Sequence, residues 1–351
     1  MIAIKHSMFT DPPKYWGLCF TAKEAGATVA MRRVGSSAPS VSIETSFDGE
    51  SWTPFYVGST VISLKRVGDR VYFRQGSSDR QYAKNTSNYN NFKITGRVAA
   101  SGSLKSMRRH SYNTVFNFYF ANLFKDCTSL ISAPELPDPA LTAGYYFGMF
   151  ENCTSLITAP DVLPAKYITQ SAYSYMFAGC SSLTIAPRLL AVELEDRNGG
   201  LYPGKSACQG MFQDCTSLIS ATELPITSLK EGCYGYMFSG CTSLSAAPKL
   251  PATTLEKNCY RYMFQDCTSL ISAPELPATS LTEGCYSNMF SGSKSVNLIS
   301  TKQDSFTGCD SWLNDVSPTG TIICPVALGT NETITRGTSA CPDGWTVINE
   351  D

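Results

Sequence analysis

The sequence predicts a repeat solenoid of seven to eight rungs of about 26 residues, each with a short helix and a short strand, flanked by an N-terminal antiparallel β-sandwich and a small C-terminal β cap. Three observations lead there. A Met-Phe or Leu-Phe pair recurs with Phe at 124, 150, 177, 212, 238, 264 and 290, in steps of 26, 27, 35, 26, 26 and 26, followed by a Cys three residues after the Phe and a Leu three further, which become Ser293 and Val296 in the last. Apolar residues held at fixed phases over such a period belong to rungs that bury one another's faces. Before the array, Val41, Ile43, Thr45 and Phe47 alternate with Ser42, Glu44, Ser46 and Asp48, the period of a strand with one wet face. After it, residues 316–325, VSPTGTIICP, and Trp345 to Ile348 read as terminal β structure.

The boundaries follow: residues 1–104 form the β-domain, 105–312 the solenoid and 313–351 the cap. Asp48-Gly49 supplies a hairpin turn before Trp52, and further two-period runs lie at 61–67, 71–74 and 92–98 with turn residues between them. This order of short strands is Ig-like, although no paired Cys flank a Trp and Cys19 stands alone. Residues 105–122 read as the joint that covers the otherwise open apolar end of the array. Past Phe290, the residues Phe306, Cys309 and Trp312 restore the Phe, Cys and apolar phases in a shortened rung.

Within a rung, the CYxYMF segment, as in Cys233 to Phe238, suits one or two helical turns against the core. The LxxAPxLP segment is extended. Leu130, Leu156, Leu183, Leu218, Leu244 and Leu270 are its inward anchors, and Leu136, Val162, Leu189, Leu224, Leu250 and Leu276 turn the chain back toward the next rung. Prolines at 134, 160, 187, 248 and 274 forbid a helix and remove a ladder donor, so each strand must be short.

Ten of the fourteen cysteines belong to the array. Cys127, Cys153, Cys180, Cys215, Cys241 and Cys267 share one phase and Cys233, Cys259 and Cys285 another, with Cys208 one place off. No C-x2-C pair occurs, so no metal ligands are nominated. Two readings stand: small buried side chains filling a repeated niche, or thiols of stacked rungs close enough to oxidise. Cys324 and Cys341 in the cap are likewise either a pair or two free thiols.

A net charge of −1 with 16% charged residues lacks the basic excess that nucleic acid or an anionic membrane would require. No window approaches eighteen consecutive apolar residues, which argues against membrane insertion, and the opening residues lack the order of a secretion signal. His6 and His110 have no Cys or Ser partner placed by any motif, and no phosphate-cradling glycine loop follows a strand. The expectation is a protein without catalytic, cofactor-binding or metal-binding residues.

The phrase FxxCxSLxxxxxLP, complete at Phe264 to Pro277 and looser at Phe150 to Pro164, resembles the BspA-like leucine-rich repeats, abundant in gut anaerobes and present in their phages. The resemblance covers roughly residues 120–312; the rung here has Ala-Pro where the family strand is Ile-rich, and 26 residues rather than the family's shorter repeat. It implies a leucine-rich-repeat-like solenoid and non-enzymatic recognition or adhesion at a virion or cell surface. Implied partners are a host-surface glycan or protein, or other virion proteins. A homo-oligomer through the β-domain is a further expectation, and a structural spacer or a bacterial surface adhesin the alternatives.

Two features carry the candidate binding residues. The longest step contains an insertion at 193–205, a Gly-, Pro- and charge-rich loop that contributes Glu195, Asp196, Arg197 and Tyr202. Eleven residues after each anchor Phe stand Glu135, Asp161, Arg188, Glu223, Lys249, Glu275 and Thr301. Stacked in register, they form one column whose signs alternate from Asp161 to Glu275, with Arg188, Glu223, Lys249 and Glu275 as the binding candidates.

Overall fold

The structure, a computed structural model, describes residues 17–77, 80–108, 116–194, 204–303, 305–326 and 341–350. The described residues of the N-terminal region form nine strands: β1 (Cys19–Ala22), β2 (Ala27–Val34), β3 (Ile43–Ser46), β4 (Thr53–Phe55), β5 (Val61–Leu64), β6 (Arg70–Gln75), β7 (Ala83–Asn85), β8 (Asn88–Thr95) and β9 (Val98–Ser101). One sheet runs β9-β1-β6-β3-β4 and the other β5-β2-β8-β7, with every pair antiparallel. Alternation buries Ala27, Val29 and Met31 of β2, and the sheets meet where Phe20 of β1 touches Phe92 of β8 edge-on at 4.9 Å. The β3–β4 hairpin is closed by Asp48, whose Oδ1 accepts from the Glu50 and Ser51 amides at 2.8 Å each, as Asp does in turns.

The array is a solenoid, and the helical expectation for CYxYMF is corrected: among the described residues the rungs contain no α-helix. The chain instead makes successive β-turns whose amide protons alternate in destination. In the central rung, Cys233, Gly235 and Met237 donate to carbonyls three residues back, Lys230, Gly232 and Tyr234, while Tyr234, Tyr236 and Phe238 donate to Cys259, Arg261 and Met263 of the next rung at 2.8–3.0 Å. A helix cannot form because each rung places left-handed residues four apart; Gly232, Tyr236 and Gly240 have φ of 64°, 59° and 75°. Every second turn thus has φ > 0 at its third position, as a type II turn requires. At several of these positions the side chain leans over the next rung, which answers with glycine. A Cβ at Gly240 would overlap the Asp214 carboxylate, and one at Gly292 the Asp266 carboxylate.

The extended side of the rungs is as short as the prolines require. It comprises β10 (Leu130–Ser132), β11 (Val162–Leu163), β12 (Tyr167–Ile168), β13 (Arg188–Leu189), β14 (Glu193–Leu194), β15 (Ser228–Leu229) and β16 (Thr254–Leu255). β11 with β13, β12 with β14 and β15 with β16 pair in parallel between neighbouring rungs, and β10 pairs in parallel with β9. Rung two carries one extra residue here, so Leu163, opposite Leu189 and fully buried, is its second anchor rather than Val162.

Two aromatic ladders run through the core. Phe124, Phe150, Phe177, Phe212, Phe238, Phe264 and Phe290 stack at 5.2–5.7 Å with planes within 9°. The second passes through Phe120, Tyr146 and Tyr173, then Tyr234, Tyr260, Tyr286 and Trp312; Cys208 takes the ring's phase between Tyr173 and Tyr234. Both begin in the β-domain, where Phe92 stacks on Phe124 at 5.2 Å and Tyr82 on Phe120 at 5.6 Å. The Phe92 amide donates to Leu123 O, and β9 pairs in parallel with β10. The first rung is therefore covered by β8 and β9, with Arg108 of the expected joint reaching Asp138 at 2.6 Å and residues 109–115 of it outside the described residues, and one continuous apolar core joins the two parts.

The first cysteine column has a function that sequence did not show. Cys153, Cys180, Cys215, Cys241 and Cys267 each donate Sγ–H, at 3.1–3.2 Å, to the carbonyl of a Phe one rung earlier, and Cys127 donates to that of Phe92 in β8 at 3.1 Å. Ser293 does the same toward Phe264 at 2.6 Å, which is why Ser replaces Cys there. All fourteen cysteines are buried free thiols, and burial raises the thiol pKa throughout this column. Thiol titration of the native chain is expected to stay near zero until unfolding releases the array cysteines; reaction of more than a few beforehand would contradict this packing.

At the far end β17 (Leu298–Ser300), β18 (Gly320–Pro325) and β19 (Trp345–Glu350) continue the parallel stacking. The expected phasing of the shortened rung shifts. The Phe290 amide donates to Trp312 O where earlier anchors use the Met carbonyl, so Leu313, not Phe306, takes the anchor phase. Phe306 tilts against Trp312 at 6.2 Å instead.

Candidate functional site

The charge column is realised in part. Lys249 and Glu223 approach to 3.8 Å with side chains 85% and 77% exposed. Arg188 is exposed but lies opposite Val162 rather than Asp161, because of the extra residue in rung two. Glu275 is exposed, whereas Thr301 leaves the column: it pairs with Leu276, 25 residues away, and the one-residue slip turns it inward to 1% exposure. Glu135 and Asp161 line a shallow groove walled by Pro134, Pro137, Pro160 and Pro164. Glu195, Asp196, Arg197 and Tyr202 lie outside the described residues, as do His6 and His110. Reversing Lys249 to Glu is expected to cost no more than about 1 kcal/mol in an unfolding titration, because exposed pairs contribute little.

Beside this column the strand face carries a row that charge-based reasoning missed. Seven residues after the anchor Phe stand Ile131, Ile157, Thr184, Ile219, Ser245, Ile271 and Asn297. Backbone bonds from Ile157 to Ile131, Ile219 to Thr184 and Asn297 to Ile271, each 3.0 Å, hold neighbours together. Ile157, Ile219 and Ile271 are 50%, 54% and 58% exposed, and Ile185 and Leu298 of the adjoining row 67% and 42%. Thr216, Thr242 and Thr268 flank them, each later hydroxyl donating to the Thr carbonyl one rung earlier. The face is regular, nearly uncharged and partly apolar. The period alone made it findable, since the same apolar type recurs at one phase that is not an anchor.

The turn side presents a different surface. Phe147 and Tyr175 meet edge-on at 5.7 Å, Tyr236 stacks on Tyr262 at 4.7 Å, and the Arg261 guanidinium lies 5.0 Å from the Tyr262 ring. These side chains are half-buried and outside the main core.

Among the described residues no nucleophile–base pair is assembled on either face. The second cysteine column approaches one most nearly: Cys259 Sγ and Cys285 Sγ share the Glu256 carbonyl at 2.7 and 3.2 Å. Contact with Cys259 and Thr282 draws the Cys285 thiol down to about 6 while its partner moves up. Both side chains are fully buried, so no substrate reaches them in this fold. Among the described residues no three His, Cys, Asp or Glu side chains converge to hold a metal ion, and no helix is long and apolar enough to cross a membrane.

The geometry defines the class as a repeat solenoid of leucine-anchored, parallel-stacked rungs joined to an N-terminal β-sheet region. No protein-family model matches the chain, and neither does any curated protein. Among solved structures it is similar to a leucine-rich repeat protein from Bacteroides ovatus ATCC 8483, at 17% identity over 74% of this chain and 72% of that one, with a TM-score of 0.30.

Proposed function

We propose that the protein is a non-enzymatic recognition or adhesion module of the BspA-like type, displayed on a phage virion, as a tail or fibre component, or on a cell surface. The observation that carries this reading is the strand-face row of Ile157, Ile219 and Ile271, each at least half exposed. Folding gives no reason for repeated isoleucines to stand in water, whereas a contact surface does. Their regular spacing suits a host-surface glycan or protein bound along the solenoid flank. The Ig-like reading of the β-domain fits a docking or self-associating module.

A second reading, a structural spacer, draws on the identical strings QDCTSLISA at 213–221 and 265–273. Identical rungs serve a spacer as well as an avid repeated surface. The experiment that separates the two is adsorption of the purified chain to a panel of bacterial cells. Replacing Ile157, Ile219 and Ile271 together by Asp should abolish adsorption and leave unfolding cooperative. Equal adsorption by the triple variant, or none by the parent chain, contradicts recognition through this face.

A further inference from the structure

The turn side carries aromatic side chains that the fold does not require. Two residues before each anchor Phe stand Asn122, Gly148, Tyr175, Gly210, Tyr236, Tyr262 and Asn288. All seven are left-handed, with φ between 53° and 60°. Gly and Asn tolerate that conformation, and four rungs use them; for a bulky residue it is strained. Tyr175, Tyr236 and Tyr262 keep their rings despite the strain, at half-buried positions away from the main core. Backbone strain that persists where a cheaper residue serves equally well points to a use outside folding.

The three tyrosines form a ribbon. The Tyr175 ring lies over Gly210 of the next rung, where a Cβ would come within 2.5 Å of it, and so reaches toward Tyr236. Phe147 extends the ribbon at one end and the Tyr236–Tyr262 stack at the other. Arg261 lies against that stack with its Nε buried and without a hydrogen-bond partner. Lysines and glutamates of these rungs pair with one another across neighbouring rungs: Lys230 with Glu256 at 2.7 Å, Lys205 with Glu231 at 3.0 Å and Lys257 with Glu283 at 2.7 Å.

We propose that the ribbon Phe147, Tyr175, Tyr236 and Tyr262, with Arg261, binds a glycan chain that carries acidic sugars. The proposal rests on the recognition reading above and adds a site and a ligand class to it. Phenol hydroxyls exchange hydrogen bonds with sugar hydroxyls, ring surfaces take the apolar C–H faces of the sugars, and the guanidinium donates to a carboxylate. A row that crosses successive rungs fits a linear chain better than a compact ligand. The Arg261 guanidinium beside the Tyr236–Tyr262 stack places a positive charge next to the ribbon, which favours an acidic sugar over a neutral one.

The test is affinity electrophoresis of the full chain through gels containing polygalacturonate or polysialic acid, with neutral dextran as control. The parent chain should bind at least one of the acidic polymers about tenfold or more tightly than dextran. The double variant Tyr236→Gly, Tyr262→Gly should lose about a hundredfold in affinity while its unfolding midpoint stays level or rises, since Gly relieves the left-handed strain. Should the Gly pair unfold, Tyr236→Asn with Tyr262→Asn restores residues that Asn122 and Asn288 show the rung accepts. Arg261→Gln should erase the preference for acidic chains. Full binding by the tyrosine variants, or an absence of acidic-glycan binding in a parent chain that still adsorbs to cells, overturns the ribbon and leaves the recognition reading standing. A parent chain that binds neither cells nor glycans overturns both. A partner shown to be a protein, captured through the same tyrosines without glycan binding, overturns the ligand class.

Discussion

Replacing Phe238 by Ala is expected to cost about 3–5 kcal/mol in a denaturant titration. The ring is fully buried, between Phe212 at 5.7 Å and Phe264 at 5.6 Å. Its removal leaves a void that the neighbours are poorly placed to fill. The rungs on either side are held apart by the backbone bonds from Phe212 to Met237 and from Phe238 to Met263, so collapse would break the ladder that spaces them. Since whole domains are stable by only about 5–15 kcal/mol, the variant should lose a large share of its stability. A loss below about 1 kcal/mol would mean that this ring does not separate two rungs.

Gly308→Ala should cost about 2–5 kcal/mol, the sum of left-handed strain and an overlap that the backbone cannot easily relieve. Its φ is +77°, and an added Cβ would collide with the carbonyl oxygen of Thr282 in the rung before it. Any backbone shift that relieves the collision also disturbs the bond from the Tyr286 amide to Gly308 O, 2.8 Å long. Gly26→Ala is the control. It has φ +79° with nothing within 4 Å of the new methyl, so it should show the strain alone, about 1–2 kcal/mol. Equal losses in the two variants would remove the argument for tight rung contact at 308.

Much of this architecture was legible in the sequence. The Phe, Cys and Leu phases fixed which side chains point inward, because a period held over seven rungs allows few other placements. The prolines correctly limited the strands. The turn spiral was not legible from apolar spacing, since CYGYMF spaces its aromatic residues as a helix would. The contrary signal lay in the glycines, asparagines and aspartates recurring at four-residue intervals, such as Asn258 and Asp266, each side of a Tyr that breaks the pattern. The charge column failed at its ends for a simpler reason. Counting from the anchor Phe ignores one-residue changes in the return segment, and one residue in an extended chain moves a side chain to the other face, as at Thr301. The strand-face isoleucines escaped notice because apolar residues in a repeat read as core by default.

The thiols show how one residue type divides by position. In the first column each sulfur is committed to a Phe carbonyl, a hydrogen bond that Ser293 reproduces. The second column has Cys259 and Cys285 sharing one carbonyl. Both columns are buried, and the distinction between them rests on the partner and not on exposure.

The turn segments, which stand where other proteins have loops, are bonded as regularly as strands. Native-state hydrogen exchange read by mass spectrometry tests this most directly. Peptides covering 233–241 and 259–267 are expected to exchange as slowly as β8, because every amide from 233 to 241 donates either three residues back or to the adjacent rung. Exchange of these segments at the rate of open loops, with only the short strands protected, would contradict it.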